Sequence, residues 1–223
     1  MNGIIRVLIP AFNAAMTLPA LLQKVKETAG INGIIVIDDG STDGTSEAAA
    51  RGGASVRRHE RNMGKGAALR TGFLAVLEDR NVSAVITMDA DQQHDAIDLP
   101  KFLMKRSLTG ASIVVGVRQR FGSGMPVMRI LSNTLTSLMV SARTGVPIAD
   151  SQCGYRLIGR EVLESIQIEA DGYEAETEML IRAAGKGFSI AGVPVRTRYQ
   201  GENSHMTHWL TTKRFVQVLL KDY

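Results

Sequence analysis

Residues 84–95 read Ala-Val-Ile-Thr-Met-Asp-Ala-Asp-Gln-Gln-His-Asp, and this stretch of the 223-residue chain decides the fold. The apolar run at its start predicts a buried strand that ends near two carboxylates, Asp89 and Asp91. In open α/β sheets, ligands bind at the carboxyl edge of the strands. Mg²⁺ and Mn²⁺ prefer oxygen ligands and often bind through carboxylates together with substrate phosphates. The stretch therefore predicts a metal–diphosphate site, although a solvated turn or a helix N-cap has the same pattern.

The flanking sequence alternates between strand and helix patterns. Candidate strands cover residues 4–9, 34–37, 54–59, 83–88 and 111–117, and candidate helices cover 14–28, 42–50, 66–79 and 97–108. This alternation indicates a mainly parallel sheet with right-handed crossovers. Uninterrupted apolar strands are typical of a sheet that is covered on both faces. We therefore expect an α/β fold with a Rossmann-like central sheet flanked by helices.

The rhythm changes after residue 117. A polar loop at 118–124 precedes a long candidate helix at 127–144, a short strand near 155–158, a helix at 174–185 and a β-rich segment at 189–199. Because no linker separates these parts, we expect a single domain over residues 1–223. Its nucleotide-binding half covers about residues 1–117 and its acceptor-side half about residues 118–223.

The bulk composition narrows the class of protein. A formal charge of +4 fits phosphorylated substrates or an anionic membrane face and does not suggest nucleic acid. The single cysteine, Cys153, excludes an internal disulfide and fits a reducing cytosol. We find neither a signal-peptide pattern nor an uncharged apolar run of about 18 residues, so we expect a cytoplasmic chain without a membrane span.

Polar loops follow each of the first four candidate strands. They cover residues 10–13, 38–45, 62–67 and 88–95, and the carboxyl ends of parallel strands would bring them to one edge of the sheet. The phosphate-binding pattern Gly-x₄-Gly-Lys-Ser/Thr is absent, as is Gly-x-Gly-x-x-Gly after the first strand. These absences argue against a P-loop NTPase and against a nicotinamide-dependent dehydrogenase.

The order of motifs resembles that of a known family. The segments PAFN (10–13), VIDDGSTDGT (36–45), NMGKGAALRTG (62–72) and MDADQQHD (88–95) resemble the family-2 inverting glycosyltransferases with the GT-A fold. The later segments VVGVRQRF (114–121), ADSQCGYRLI (149–158) and NSH (203–205) look like those of the dolichol- and polyprenyl-phosphate mannose and glucose synthases. The resemblance extends from about residue 4 to beyond residue 205.

The resemblance implies a donor site with a bound metal. The residues that it assigns to the nucleotide sugar are Pro10, Ala11, Asn13, Asp38, Asp39, Lys65, Asp89, Ala90 and Asp91. For Asp38, a structural role is the alternative to binding the nucleotide sugar. The same comparison implies Asp89, Asp91 and Gln93 as ligands of Mg²⁺ or Mn²⁺. The chain departs from the family at Ala14, where an acid is usual, and at Asp95, where proline is usual.

The resemblance also implies an acceptor side. Arg118, Arg129, Ser132 (or its neighbour Asn133), Ser204 and His205 correspond to residues near the phosphates of the acceptor or the diphosphate. The expected catalytic residues are Asp91, Asp150 and Arg118. Asp150 is the candidate base if the acceptor is a hydroxyl, because a hydroxyl must lose its proton. An acceptor phosphate is already anionic and needs cations instead.

The expected function is a metal-dependent inverting transfer of a hexose from a UDP- or GDP-sugar to a polyprenyl phosphate. One alternative keeps the donor chemistry with a saccharide or lipid hydroxyl as acceptor. Another is a catalytically silent nucleotide-sugar-binding partner of a membrane subunit. Expected partners are the nucleotide sugar and the lipid phosphate, with a partner subunit or a homo-oligomer left open, and no nucleic acid.

Several features also have a plainer interpretation. The 127–144 helix is expected to pack on the sheet, and peripheral contact with the cytoplasmic membrane face is the alternative. Lys65 fits a solvated lysine as well as a ligand, and His59 is expected at the surface. Glu174, Glu176 and Glu178 suit the first turn of a helix, where acids favour the helix dipole, and orientation of the acceptor-side loops by Glu176 or Glu178 is the alternative.

Overall fold

The computed structural model describes residues 3–119, 125–197 and 208–223, and in the last segment it describes side chains from Thr212 onward. The described strands are β1 (Ile4–Ala11), β2 (Ile34–Asp38), β3 (Ser55–Arg58), β4 (Val82–Thr87), β5 (Ile113–Arg118), β6 (Arg156–Gly159) and β7 (Ile190–Val195). The helices are α1 (Leu18–Lys26), α2 (Thr45–Arg51), α3 (Lys65–Glu78), α4 (Leu99–Thr109), α5 (Val127–Thr144), α6 (Arg160–Ser165), α7 (Ala175–Gly185) and α8 (His208–Leu220). A single 3₁₀ turn, Ala96–Asp98, precedes α4.

The strands form one seven-stranded sheet in the order β3-β2-β1-β4-β6-β5-β7. All neighbouring pairs are parallel except those of β6, which runs antiparallel to both β4 and β5. The predicted α/β fold with a mainly parallel sheet is thereby confirmed. Because β6 is reversed, its first residue, Arg156, pairs with Thr87 at the end of β4. The segment before β6 therefore reaches the edge of the sheet where the parallel strands end.

Both faces of the sheet are covered, as the apolar strands predict. All five residues of β2 are buried, and α1 covers the sheet with Leu18, Leu21, Leu22 and Val25. Helix α3 approaches β1 closely at Gly72, where an added Cβ would lie 2.3 Å from Leu8 Cδ1. Only glycine allows this approach without displacing the leucine. The close packing fixes α3, whose first residue is Lys65, against the centre of the sheet.

Helix α5 has the predicted bounds but not the expected environment. It packs on α7 and α8, and its only buried side chains are Ser137 and Val140. Five apolar side chains on it are 59–76% exposed, namely Val127, Met128, Leu131, Leu135 and Leu138. The interpretation of α5 as a helix whose apolar stripe packs on the sheet is therefore wrong. Hydrophobic periodicity shows that a helix has an apolar stripe but does not identify what covers it.

Within the described part of the chain, none of the helices combines the length and the apolarity that crossing a bilayer requires.

Candidate functional site

The loops after β1 and β2 are bonded to each other. Asn13 has a left-handed backbone conformation (φ 50°), and its amide donates to Ser41 Oγ at 2.9 Å. Its side-chain oxygen accepts from the Thr42 amide at 3.0 Å. Ala14, which stands where the family usually has an acid, is buried. Its amide donates to Thr45 Oγ1 at 2.8 Å. These bonds fix the end of β1, including Pro10 and Ala11, beside the second loop.

Asp38 holds the second loop together. Its carboxylate is buried and accepts from the Ser41 amide at 2.8 Å and from the Ser46 hydroxyl. Burial raises the pKa of Asp38, but the hydrogen bonds from Ser41 and Ser46 outweigh burial and hold the pKa below its ordinary value. This geometry supports the structural alternative for Asp38.

Asp39 lies beside the first loop and faces the start of α3. Its amide donates to the Ala11 carbonyl at 2.8 Å, and its carboxylate accepts from the amides of Met63 and Gly64. His59 Nδ1 lies 2.6 Å from Asp39 Oδ1. The expectation that His59 is a surface residue is wrong, because only 10% of its side chain is exposed.

Lys65, Asp89 and Glu176 form a group, buried at Glu176 and half-buried at the other two residues, that we call the lysine cluster. Lys65 Nζ lies 2.5 Å from Asp89 Oδ1 and 2.8 Å from Glu176 Oε1, and only 14% of the lysine side chain is exposed. Burial lowers the pKa of Lys65, but the two carboxylates more than offset this and raise it above its ordinary value. Lys65 is therefore not a solvated lysine. The cluster connects the start of α3, the end of β4 and the first turn of α7.

Gly154, just before β6, makes room for the lysine cluster. An added Cβ would lie 2.7 Å from Glu176 Oε1, 2.8 Å from Asp89 Oδ2 and 2.9 Å from Lys65 Nζ. The approach follows from the antiparallel pairing of β6, which brings this segment to the end of β4. Any side chain at position 154 would displace at least one charged group.

The donor set at residues 89–93 fits a divalent cation that is shared with a diphosphate. Asp91 Oδ1 accepts from the Gln93 amide at 2.9 Å, which orients this carboxylate, and Ala90 between the two acids is buried. Among the described residues, no group of three or more His, Cys, Asp or Glu side chains could hold a metal by itself. Two carboxylates plus substrate phosphates are a usual set for Mg²⁺. Asp89, Asp91 and Gln93 are the residues that would hold the ion.

His94 lies beside the Asp89 carboxylate. It is buried, and its Nε2 lies 3.7 Å from Asp89 Oδ2. Burial is the largest influence and lowers the pKa of His94 to about 4, although Asp89 acts in the opposite direction. For Asp89, burial raises the pKa, but Lys65 and then His94 outweigh burial and lower it.

Arg118 and Asp150 form a two-point ion pair at the end of β5. Arg118 Nε lies 2.8 Å from Asp150 Oδ2, and Arg118 Nη2 lies 2.8 Å from Asp150 Oδ1. The amides of Arg118 and Gln152 also donate to the same carboxylate, which is 1% exposed. This arrangement fixes the guanidinium plane and engages both oxygens of Asp150.

An apolar groove of about 390 Å³ adjoins Arg118. Its lining comes from the end of β5, from α5 and from the segment before β6, namely Val117, Arg118, Thr134, Ser137, Leu138, Ile148 and Ala149. Leu138 also belongs to the exposed apolar stripe of α5. The groove therefore extends from that stripe to Arg118.

The remaining acceptor-side predictions are only partly located. Arg129 lies half-buried in the first turn of α5, where its amide donates to the Pro126 carbonyl at 2.9 Å. Ser132 is exposed on the next turn. Ser204 and His205 lie outside the described residues.

Sequence reasoning missed three residues at the site. Gly154 had a usable signal, since a glycine directly before a short strand often marks a close approach. Glu176 was assigned to the helix dipole, with orientation of the acceptor-side loops as the alternative, and neither role includes its contact with Lys65. His59 was assigned to the surface. No local pattern links either residue to its partner, because the partners come from other elements of the fold.

Comparison with known proteins identifies the family. The model for glycosyl transferase family 2 matches residues 6–167. An undecaprenyl-phosphate mannosyltransferase of Micrococcus luteus is 30% identical over 84% of this chain and 81% of its own length. A polyprenol monophosphomannose synthase of Mycolicibacterium smegmatis is 32% identical over 85% of this chain and 75% of its own length.

Solved structures agree on the fold. Glucosyl-3-phosphoglycerate synthase of Mycobacterium tuberculosis, in complex with Mn²⁺, UDP and glucosyl-3-phosphoglycerate, superposes with a TM-score of 0.77. The match covers 98% of this chain and 79% of that structure, at 24% sequence identity. The fold is therefore GT-A, as the motifs imply.

Proposed function

Because the chain belongs to glycosyl transferase family 2 and is a glycosyltransferase, we propose a specific reaction for it. The enzyme transfers a hexose from a nucleoside-diphosphate sugar to a polyprenyl phosphate, with the help of Mg²⁺ or Mn²⁺ and with inversion at the anomeric carbon. The carrying observation is the apolar groove that has Arg118 in its lining. A long apolar chain with an anionic head has the chemistry that this groove complements.

The donor end of the site supports the first half of the reaction. Breaking the bond between sugar and diphosphate gathers negative charge on the leaving group, and a bound divalent ion stabilises that charge. Asp89, Asp91 and Gln93 would hold the ion, and Asp39 the nucleoside. Lys65 supplies a fixed positive charge beside Asp89, because Asp89 and Glu176 keep it protonated.

The acceptor end supports a phosphate rather than a hydroxyl nucleophile. An acceptor phosphate oxygen can attack the anomeric carbon without losing a proton first, so no base is required. The role left to the protein is to hold an anion, and a permanently charged guanidinium whose plane Asp150 fixes is suited to that role. Asp150, the candidate base for a hydroxyl acceptor, is engaged through both oxygens with Arg118. We assign Asp150 to the positioning of Arg118.

Relatives strengthen this assignment. One of the two relatives is named as a mannosyltransferase of undecaprenyl phosphate, and the other as a synthase of polyprenol monophosphomannose. Solved neighbours include complexes with Mn²⁺ or Mg²⁺ and UDP. Uridine and guanosine donors both remain in the proposal, with UDP preferred.

A first experiment tests the donor site. We expect calorimetry to detect binding of UDP-glucose or GDP-mannose in the presence of Mn²⁺, and loss of that binding in EDTA and in Asp91→Asn. Asp95→Asn is the matched control, because Asp95 caps the following 3₁₀ turn through the Ile97 amide at 3.3 Å. Wild-type affinity in folded Asp91→Asn would contradict the proposed donor site.

A second experiment tests the lipid side. We propose that the exposed stripe of α5 rests on the membrane that carries the acceptor, since it is apolar and α5 has Arg129 and Arg143 but no acidic residue. The double variant Leu131→Glu, Leu135→Glu should lower co-sedimentation with anionic vesicles about tenfold or more. The reason is that burial of each leucine side chain in the bilayer contributes enough binding free energy to account for at least that factor. Leu74→Glu, at a 64% exposed position of α3, is the control. Equal loss in both variants would refute the membrane role of α5.

A further inference from the structure

The carboxylate of Asp39 is held by three donors. The Met63 amide donates to Oδ1 at 2.9 Å, and the Gly64 amide donates to Oδ2 at 2.8 Å. His59 Nδ1 adds a third contact, 2.6 Å from Oδ1. A carboxylate offers about four acceptor positions, two on each oxygen. The described residues therefore fill Oδ1 and leave one acceptor position on Oδ2.

His59 is itself held at both ring nitrogens. A carboxylate only accepts hydrogen bonds, so Nδ1 is the donor toward Asp39. Nε2 lies 2.9 Å from Thr71 Oγ1 on α3, and the His59 amide donates to the Asp38 carbonyl at 2.9 Å. The imidazole cannot turn without losing one of its ring contacts. It thus connects the end of β2 with α3 through side chains alone.

The third donor adds to the restraint that the two amides, one on each oxygen, place on the carboxylate. The terminal torsion of an aspartate is broad, because it joins an sp³ to an sp² carbon. A second donor on Oδ1 narrows that torsion and fixes the direction of the remaining position on Oδ2. A fixed acceptor discriminates more sharply between a ligand that donates there and one that does not.

We propose that His59 and Thr71 are positioning residues that orient Asp39 to select a nucleobase with a ring N–H. Uracil carries this hydrogen at N3 and guanine at N1, whereas cytosine and adenine carry none at the corresponding nitrogens. The inference rests on the proposed function, in which Asp39 binds the nucleoside of the donor. Base selectivity then depends on the His59 imidazole, which contacts Asp39, and on the Thr71 hydroxyl, which contacts His59, rather than on contacts of these two residues with the donor.

Three variants separate the contacts of His59. Asparagine places its amide nitrogen near the position of Nδ1, so His59→Asn keeps a donor for Asp39. Glutamine places its amide nitrogen nearer to Nε2, so His59→Gln loses the Asp39 contact and keeps the one to Thr71. Thr71→Val removes the hydroxyl and preserves the branched shape. Thermal unfolding of each full-length variant establishes that it is folded.

Calorimetry with Mn²⁺ then compares UDP with CDP, and GDP with ADP. We expect wild-type protein to prefer the base with the ring N–H. His59→Gln should reduce that preference by up to about tenfold, as expected when a hydrogen bond to a charged group is misaligned. His59→Asn and Thr71→Val each keep a donor for Asp39 and lose the contact between positions 59 and 71, so both should give intermediate values. CDP or ADP affinity should stay unchanged in all three variants.

Different failures have different meanings. If the wild-type protein binds none of the four nucleotides, the proposed function fails and the inference fails with it. If it binds them and folded His59→Gln retains the wild-type preference, the positioning role alone is overturned. A change in His59→Gln between UDP and 2′-deoxy-UDP, rather than between UDP and CDP, would assign the Asp39 contact to the ribose and overturn the base assignment.

Discussion

Replacing Glu176 by glutamine tests the lysine cluster most sharply. Glu176 Oε1 lies 2.8 Å from Lys65 Nζ, and the two side chains are 8% and 14% exposed. Unit charges at that distance attract by about 6 kcal/mol at an effective dielectric constant of about 20. Glutamine keeps an accepting oxygen and removes the cost of burying the glutamate charge. The net loss should therefore be about 1–3 kcal/mol.

That loss should appear in catalysis as well as in stability. Lys65 would keep Asp89 but lose its second support, so its charge beside the diphosphate would be less well fixed. We expect kcat/KM for the donor to fall about tenfold to a hundredfold, measured as release of the nucleoside diphosphate. Urea unfolding gives the stability change in parallel.

Glu178→Gln is the matched control on the same helix. Glu178 is also buried, but it accepts from the amides of Glu169 and Ala170 and pairs with Arg182 at 2.7 Å. Its variant should lose stability and retain kcat/KM. A folded Glu176→Gln enzyme with wild-type kcat/KM would refute the role assigned to the lysine cluster.

Three further predictions follow from the same geometry. Gly154→Ala places a Cβ within 2.9 Å of all three members of the lysine cluster and should lower kcat/KM at least about tenfold; wild-type turnover would contradict the packing described. Asp150→Asn weakens the support of Arg118 and should raise the acceptor KM about tenfold with little change in donor KM, whereas an equal change in both would argue against an acceptor role. Burial raises the pKa of Cys153 to about 12, so little of the thiol is ionised at neutral and mildly alkaline pH. Mass spectrometry should therefore detect no alkylation of the native protein by iodoacetamide between about pH 7 and about pH 9. Rapid alkylation of the native protein would contradict that burial.

The sheet could be predicted from sequence because its signals are local. Apolar runs that end in polar loops identify β1, β2 and β4, and alternation with helices predicts parallel pairing. The reversed strand β6 could not be predicted in this way, since it has four residues and its partners lie far away in the chain. Its direction is a property of pairing, not of composition. The division near residue 117 stays a prediction.

The donor loops could be predicted for the same topological reason. Parallel strands bring their carboxyl ends to one edge, and Asp39 and Asp89 follow β2 and β4 at that edge, whereas their part in donor binding stays a prediction. The contacts between elements could not be foreseen. Glu176 on α7 contacts Lys65, and His59 contacts Thr71 on α3. No local sequence pattern indicates either contact. The exposure of the apolar face of α5 could not be predicted, because hydrophobic periodicity does not show whether such a face contacts solvent, lipid or protein.

A product analysis with paired acceptors tests most directly whether the enzyme transfers the sugar to a lipid phosphate. Purified enzyme, Mn²⁺ and a radiolabelled nucleotide sugar would be incubated with vesicles that contain either undecaprenyl phosphate or undecaprenol. We expect a labelled, phosphate-linked sugar lipid with undecaprenyl phosphate only, and its loss when Arg118 is replaced by methionine. Transfer to undecaprenol, or transfer to undecaprenyl phosphate that does not depend on Arg118, would contradict this expectation.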